Sequence, residues 1–468
     1  MDKVLTVIIA PNEDGFGTSA WAVRLVRELA RQRKDSVLIK VIVATDKRQD
    51  FHQNKYADLP VEVIKLENVN KRIELIKKAG SVDVPSSIEQ TILTYAKSRT
   101  EYADSLMEQK VFEDADIVID LGVPQLVRTA YYENLSKVRK SNEQIVSVTV
   151  FDHAWSFSLR KIVFSDTTWR AMAQSVEDAF IDIENDEALT QQTFIFSEPI
   201  SPCDYHGHWK KLLGRFPRII PGGLGGPLST LEYCNDPEFA QFRSHIEREG
   251  KCPQKAYDKA RIHAKNILGI NNNLPTLFVS GAGTPVWDDV LKGMIDDYES
   301  NKPNYNVVVY SPAEAKRREI NLNIQEGMIE IGIHPKNDRL IFIDRTIGDT
   351  HHVLFPAFDL VLTRAGGGTV NDAIACGVPL VLVEEPGMWQ VEQIRQSCRK
   401  MRIAEDVTLK KFQDNPRACI EESDELKKLE SQRKEILAIP NHSEIWLVKQ
   451  LLKIAKVVGP TNIANDVT

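Results

Sequence analysis

The sequence predicts an α/β protein with two parallel sheets, and two observations support this prediction. Short apolar segments rich in β-branched residues alternate with amphipathic segments in both halves of the chain, which is typical of a sheet wound with helices. The chain has 468 residues, and at roughly 150 residues per domain this corresponds to about three domain units or two large ones. Each half is therefore predicted to form a Rossmann-like domain.

The first half opens with a predicted strand, a glycine-bearing loop and a helix. Residues 4–10 are apolar and β-branched, and residues 21–30 repeat apolar side chains at spacings of three and four. Three further apolar segments, at 36–45, 116–121 and 145–151, are predicted to be strands of the same sheet. The alternation favours a parallel sheet over a helical bundle or a β-sandwich.

Residues 152–265 show a weaker pattern. They contain one amphipathic segment, at 169–183, and a stretch rich in proline and glycine, at 199–227. Proline and glycine interrupt helices and strands, so such a stretch is typical of loops. We therefore expect 152–265 to complete the first domain as a loop-rich region, so that the first domain covers residues 1–268.

A polar stretch with a proline, at 271–275, is a suitable linker to a second α/β series. Five apolar strands are predicted after it, at 276–280, 306–310, 340–343, 359–363 and 379–383. The second domain is predicted to cover residues 269–440. Residues 441–468 are predicted to form a terminal helix and tail, because the apolar spacing over 444–455 fits an amphipathic helix packed on the body.

The charge balance excludes one class of partner. Asp and Glu total 66 against 59 for Lys and Arg, which gives a net charge of −7. Proteins that bind nucleic acid without sequence preference are basic, and this chain has a mildly acidic net charge. Any anionic ligand must therefore be held locally.

The cysteines and the hydropathy pattern bear on location. The six cysteines are widely spaced and form no C-x-x-C pair, so we expect reduced thiols and a cytoplasmic protein. No apolar run approaches the roughly 20 residues that a membrane-spanning helix needs. We therefore expect no transmembrane segment, and peripheral membrane contact stays open.

The most informative segment is 359–379, where a predicted strand is followed by Gly366, Gly367 and Gly368. Glycines let a phosphate approach the backbone, and the N–H groups of a new helix bind its charge. Arg364 and Thr369 can add donors. A simple tight turn between strand and helix remains the alternative at these glycines.

One turn into the predicted helix lies Asp372. Its carboxylate is suited to accept hydrogen bonds from a ribose diol, as in dinucleotide folds. The order of these residues resembles the donor box of the GT-B glycosyltransferases, in particular the lipid-II-forming N-acetylglucosaminyltransferase and the UDP-glycosyltransferase group. In that comparison Gly377-Val-Pro379 is similar to the bend into the next strand. Glu392-Gln393 is similar to the pair that contacts sugar hydroxyls.

Three further stretches fit the resemblance. Residues 278–284 are similar to the first loop of the donor domain, and residues 340–344 to the strand whose backbone contacts the donor base. Residues 14–18 resemble the glycine loop on the acceptor side. The donor-binding residues implied by the resemblance are Gly281, Gly283, Thr284, Phe342, Ile343, Arg364, Gly366, Gly367, Gly368, Thr369, Asp372, Glu392 and Gln393. For Phe342 a place in the core is the alternative.

The acceptor side departs from the family pattern. The acceptor-side residues implied by the resemblance are Gly15, Gly17 and Thr18, but the histidine that many relatives carry beside this loop is absent. A general base must reach the acceptor hydroxyl, and the candidates here are His153 and Asp14. A hydrogen-bonded structural histidine and a helix-capping aspartate are the alternatives at these two positions.

The resemblance implies two Rossmann-like domains facing a cleft, with the C-terminal helix packing back on the body. It implies transfer of a sugar from a nucleotide-sugar, expected to be a UDP-sugar, to the hydroxyl of a small-molecule or lipid-linked acceptor. The reaction is expected to be inverting and metal-independent, with no cofactor besides the nucleotide-sugar. A nucleotide-sugar hydrolase or epimerase and an inactive protein that binds a nucleotide-sugar or a partner remain the alternatives.

Overall fold

A computed structural model describes most of the second half of the chain and parts of the first. The described residues are 4–11, 17–33, 36–67, 69, 77–78, 81–82, 86, 100–121, 146–150, 171, 193–197, 218–221, 225–280, 287–325, 329–344, 350–385, 389–438 and 443–457. The chain divides into two compact units. The first contains residues 1–76, 83–222 and 444–468, and the second contains 77–82 and 223–443.

The first unit is built on a parallel sheet of seven strands. The strands are β1 Leu5–Pro11, β2 Val37–Val43, β3 Val61–Lys65, β4 Ile117–Leu121, β5 Val146–Val150, β6 Thr193–Ser197 and β7 Arg218–Pro221. Their order across the sheet is β3-β2-β1-β4-β5-β6-β7, and every neighbouring pair is parallel. This is the order of a doubly wound Rossmann-like sheet.

Two helices of the first unit follow its first two strands, α1 at Gly17–Arg33 and α2 at Asp46–Lys55. The helix Glu444–Val457, near the end of the chain, also belongs to this unit. Its Ile445 carbonyl accepts a hydrogen bond of 3.0 Å from the side chain of Gln32 in α1. The predicted amphipathic C-terminal helix therefore exists and packs on α1, with Leu447, Val448 and Leu451 buried.

The second unit is built on a mixed sheet of eight strands. The strands are β8 Thr276–Ser280, β9 Asn306–Tyr310, β10 Asn323–Gln325, β11 Ile329–His334, β12 Asn337–Asp344, β13 Leu360–Arg364, β14 Leu380–Val383 and β15 Ala404–Val407. Their order is β10-β11-β12-β9-β8-β13-β14-β15. The six strands from β12 to β15 in this order are parallel and repeat the Rossmann-like order, whereas β10 and β11 are antiparallel additions at one edge.

The helices of the second unit cover both faces of its sheet with apolar side chains. They are α3 Pro227–Tyr233, α4 Phe239–Glu249, α5 Gln254–Ile267, α6 Asp288–Ser300, α7 Pro312–Arg317, α8 Gly367–Ala375, α9 Trp389–Lys400, α10 Leu409–Asp414, α11 Pro416–Glu421, α12 Asp424–Lys427 and α13 Leu429–Leu437, with a 3-10 helix at Thr350–Ala357. One core cluster joins strand residues such as Leu277 and Phe342 to Trp287, Met294 and Tyr298. Burial of this cluster stabilises the sheet through the hydrophobic effect.

Residues 223–268 lie in the second unit, whereas the sequence predicted a first domain over 1–268 with a loop-rich region at 152–265. Between 227 and 267 the chain forms the helices α3, α4 and α5. Thr230 in α3 donates a 2.7 Å hydrogen bond to the Val353 carbonyl, and Arg261 in α5 pairs with Asp359 at 2.5 Å. Both contacts are made with the segment before β13, which explains why residues 223–268 belong to the second unit.

Candidate functional site

The order of the strands in the second sheet creates a switch point between β8 and β13. The connections from these neighbouring strands run in opposite directions along the sheet, and ligands of such sheets bind in the crevice outside the carboxyl ends of the strands. Thr363, near the end of β13, donates a 2.9 Å hydrogen bond to the Ser280 carbonyl at the end of β8. The two strand ends are therefore tied together below the switch point.

A two-residue turn leads from β13 into α8. The Gly366 N–H donates to the Arg364 carbonyl at 2.6 Å, and the Val370 N–H donates to the Gly366 carbonyl at 3.0 Å. The helix begins at Gly367, so that two of the three glycines belong to its first turn. The N–H groups of a helix's first turn cannot be satisfied by the helix itself, and Gly366 at the N-cap has no side chain to accept from them.

The space beside Gly366 is open. A Cβ atom added there would meet no atom of the described chain within 4 Å, and one added at Gly367 would meet only Ile394 Cδ1, at 3.8 Å. Gly366 has φ −75° and ψ 128°, which any residue can adopt. The glycine at 366 is therefore not needed for the backbone conformation, and the described part of the chain leaves room for a ligand at the start of α8.

Arg364 is held by an acidic residue that the sequence analysis did not consider. Its Nη1 donates to Oε2 of Glu385 at 2.8 Å. Arg364 is opposite Val383 in the register of β13 and β14, so Glu385 follows the end of the neighbouring strand. The signal for this residue was present, because the pair Glu384-Glu385 follows a predicted strand and the carboxyl ends of parallel strands share one edge.

The predicted ribose ligand Asp372 is the sixth residue of α8 and is buried. The preceding Asn371 donates from its side-chain amide to the Gly367 carbonyl at 3.0 Å, which fastens the first turn of the helix. The helix ends at Ala375, and Gly377 has φ +69° before β14 begins at Leu380. The bend predicted at Gly377-Val-Pro379 is therefore the C-terminal turn of α8.

The predicted sugar-contacting pair lies in α9. Glu392 accepts hydrogen bonds from Arg395 at 2.7 Å and from Gln396 at 3.0 Å within the same helix. Gln393 is a helical residue whose side chain lies outside the described part. The contacts of Glu392 are those of an ordinary helix surface, and its role toward a sugar stays a prediction.

Phe342 and Ile343 in β12 are buried in the sheet. Phe342 belongs to the core cluster of the second unit, which is the alternative that the sequence analysis left open. Their side chains therefore stabilise the fold. A contact with a donor base could come only from the backbone at the end of this strand, which is the kind of contact that the resemblance implied.

Several predicted site residues lie outside the described residues: Asp14, Gly15, His153, Gly281, Gly283 and Thr284. Gly17 and Thr18 are the first two residues of α1, and only their backbone is described. The general base therefore stays a prediction at both candidate positions. The structure brings together Arg364, Gly366, Gly367, Gly368 and Thr369 around the start of α8.

Two kinds of feature are absent from the described residues. No group of three or more His, Cys, Asp or Glu side chains in this part of the chain is placed to hold a metal ion. Among the same residues, no helix is both long enough and apolar enough to cross a membrane.

Comparison with solved structures identifies the fold as GT-B, the fold of a large class of glycosyltransferases. CalG4, the calicheamicin glycosyltransferase, superposes with a TM-score of 0.56 and 15% identity, over 98% of this chain and 100% of that chain. The glycosyltransferase of kitacinnamycin gives 0.53 and 12%, over 96% and 98%. UGT89C1 of Arabidopsis thaliana, complexed with UDP, gives 0.51 and 13%, over 97% and 99%.

The likeness is one of structure rather than of sequence. No protein-family model matches the chain. No curated protein matches it by sequence either. At identities of 12–15%, the superpositions establish the arrangement of strands and helices, and chemistry must be inferred from the site itself.

Proposed function

We propose that this protein is a glycosyltransferase that moves a sugar from a UDP-sugar to an acceptor hydroxyl. The observation that carries the proposal is the open glycine turn at the start of α8, beside the switch point of the second sheet. Helix N-termini bind phosphate because their N–H groups and dipole attract negative charge. The GT-B fold and the UDP in the UGT89C1 structure support the choice of donor.

In this proposal the donor diphosphate lies against the N–H groups of Gly367, Gly368 and Thr369. These fixed donors, with Arg364 nearby, stabilise the negative charge that develops on the leaving diphosphate as the glycosidic bond to it breaks. Asp372 accepts hydrogen bonds from the ribose. We propose that the reaction is metal-independent, with the N–H groups at the start of α8 binding the charge of the diphosphate.

The finer steps follow the family resemblance. We propose a single displacement that inverts the anomeric centre, with His153 or Asp14 removing the proton of the acceptor hydroxyl. We also propose that the enzyme acts in the cytoplasm. The similarity to the lipid-II-forming enzyme rests on sequence motifs alone. We propose that the acceptor is either a small molecule or lipid-linked.

Calorimetric titration with UDP tests the donor site. The variant Gly366→Ala adds a methyl group where the described chain leaves space, so we expect normal folding and a loss of UDP affinity of about tenfold, or 1.4 kcal/mol. Gly293→Ala is the matched control, because Gly293 also faces open space but lies in α6. Equal UDP affinity in the wild type and Gly366→Ala contradicts the proposed binding site of the diphosphate at the start of α8.

Activity assays separate transfer from the alternatives. UDP-sugars incubated alone detect a hydrolase through release of free sugar, or an epimerase through a changed sugar. A panel of small-molecule and lipid-linked alcohols detects transfer through a new glycoside. Binding of UDP-sugars without turnover in any mixture indicates an inactive binding protein and contradicts the proposed activity.

A further inference from the structure

Among the described residues, the ion pair between Arg364 and Glu385 leaves two polar atoms without a hydrogen-bond partner. Arg364 Nη1 binds Glu385 Oε2, but Arg364 Nε and Glu385 Oε1 are both buried and make no hydrogen bond in the described part of the chain. The Glu385 side chain is only 10% exposed. The pair lies at the carboxyl edge of the sheet, where β13 and β14 end.

With no partner among the described residues, both atoms carry a free-energy cost. A buried donor or acceptor without a partner loses its hydration and gains nothing in return. A structural ion pair explains the bond between Nη1 and Oε2 but not the two remaining atoms. A ligand that accepts a hydrogen bond from Nε and donates one to Oε1 removes both costs together.

The chemistry of this ligand can be stated. A diphosphate group offers only acceptors, so it can satisfy Arg364 Nε but not Glu385 Oε1. Its negative charge is also repelled by the carboxylate of Glu385. A sugar hydroxyl offers a donor to Oε1 and has no charge. A diphosphate that carries a hydroxylated sugar therefore matches the pair, whereas the bare nucleotide leaves the carboxylate unsatisfied.

We infer that Glu385 is a specificity-determining residue that favours the sugar-bearing donor over the nucleoside diphosphate left after transfer. This inference rests on the proposed function. Glu385 accepts a hydrogen bond from a hydroxyl of the bound sugar and, by its charge, weakens the binding of UDP alone. In the same site Arg364 donates to the diphosphate, and its orientation is fixed by Glu385.

Calorimetric titration of UDP and of a panel of UDP-hexoses provides the test, and the hexose that binds the wild type most tightly is used throughout. Glu385→Gln keeps an oxygen to accept from Arg364 but replaces the second carboxylate oxygen with an amide donor. We expect UDP to bind about threefold more tightly, and the preference for the UDP-hexose over UDP to fall about fivefold or more.

Glu384→Gln is the matched control. Glu384 has the same charge and is half-buried one residue earlier, with its backbone N–H bound to the Val407 carbonyl at 2.8 Å. Its side chain makes no contact with Arg364 among the described residues. We expect the affinities for UDP and for the UDP-hexose to stay within about twofold of the wild type, because Glu384 is not paired with Arg364 and its charge is partly screened by solvent and salt.

A second variant covers the case in which Glu385→Gln fails to fold, as checked by its melting temperature. Glu385→Asp keeps the charge but withdraws the oxygens by one methylene. We expect unchanged UDP affinity and a lost preference for the UDP-hexose.

The outcomes are distinct. A wild-type protein that binds neither UDP nor any UDP-hexose refutes the proposed function, and the inference with it. If the wild type binds them, the inference is overturned by a preference that Glu385→Gln leaves unchanged, by an equal loss of both affinities, or by the same shift in Glu384→Gln.

Discussion

Asp372 is the carboxylate that the proposed donor site assigns to the ribose. Removing a hydrogen-bond partner of a buried polar group costs about 1–3 kcal/mol, so we expect Asp372→Ala to weaken UDP binding about fivefold to a hundredfold. Calorimetry measures the affinity, with Asp414→Ala in α10 as an exposed control. Unchanged UDP affinity in Asp372→Ala, with a normal melting temperature, excludes this role.

His52 makes the stability of the first unit depend on pH. It is fully buried in α2, with its Nδ1 3.1 Å from the Tyr56 hydroxyl. Burial, together with the positive charge of Arg48, lowers the pKa of His52 to about 3 from 6.5. The unfolded chain therefore binds this proton more readily than the folded one, and stability falls as the pH falls from 6.5 toward 3.

We expect the wild type to lose about 2 kcal/mol through this residue between pH 7.5 and pH 5, since each pH unit below 6.5 contributes about 1.4 kcal/mol. His52→Gln, which cannot be protonated, should show a smaller drop in urea midpoint over the same range. His245→Gln on α4 is the control and should keep the full pH dependence. If the urea midpoints of His52→Gln and the wild type fall equally between pH 7.5 and pH 5, His52 is not the source of the pH dependence.

The residues of the candidate site show what a sequence can predict at this scale. The positions of Arg364 and Gly366 followed from a strand, a run of glycines and a helix that are contiguous in the chain. The ion pair of Arg364 with Glu385 did not, because it depends on the register between β13 and β14 and on side-chain directions. Local spacing does not encode these contacts.

At the scale of single elements, Gly377 is required for the end of α8. Its φ is +69°, and an added Cβ would lie 2.6 Å from Leu437 Cγ in α13. Gly269 has the same φ, but its Cβ would lie 3.4 Å from Ile333 Cδ1. The two glycines therefore share the backbone requirement and differ in the space available.

We expect Gly377→Ala to destabilise the second unit by about 2–4 kcal/mol, from left-handed backbone strain and overpacking together. Gly269→Ala should cost only about 1–2 kcal/mol, from the strain and a slight shift of a flexible side chain. Urea unfolding of the second unit measures both. Equal losses in the two variants refute a packing role for Gly377.

Elements were predicted well where apolar runs were long and poorly where they were short or polar. The strands β8 and β9 have the predicted bounds, 276–280 and 306–310. The antiparallel strands β10 and β11 and the strand β15 were missed. β15 reads Ala-Glu-Asp-Val, and β10 has three residues. Such strands form because the sheet supplies a partner, so tertiary pairing decides them.

The C-terminal helix links distant parts of the chain at the scale of the whole molecule. Leu451 is fully buried in this helix, so we expect Leu451→Ala to destabilise the first unit by about 2–5 kcal/mol. UDP affinity should be unchanged, because the candidate donor site belongs to the second unit. Lys453→Ala on the exposed side of the helix is the control. Loss of UDP binding in folded Leu451→Ala contradicts this separation.

Both sheets contain the same order of six parallel strands, with one further strand in the first sheet and two in the second. The alternation in the sequence predicted two Rossmann-like sheets but not the order of their strands. Buried parallel strands are recognisable because both faces are apolar. The assignment of residues 223–268 could not be predicted in this way. It depends on contacts of Thr230 and Arg261 with residues more than 90 positions later.

The hydrogen bond from Gln32 to Ile445 spans 413 positions. At about 5–20 residues per second, a ribosome needs roughly 20–80 s to synthesise that interval. During this delay α1 can pack on β1, β2 and β4, but not on the C-terminal helix. The unit that emerges first from the ribosome is thus completed only after residue 445 has been made.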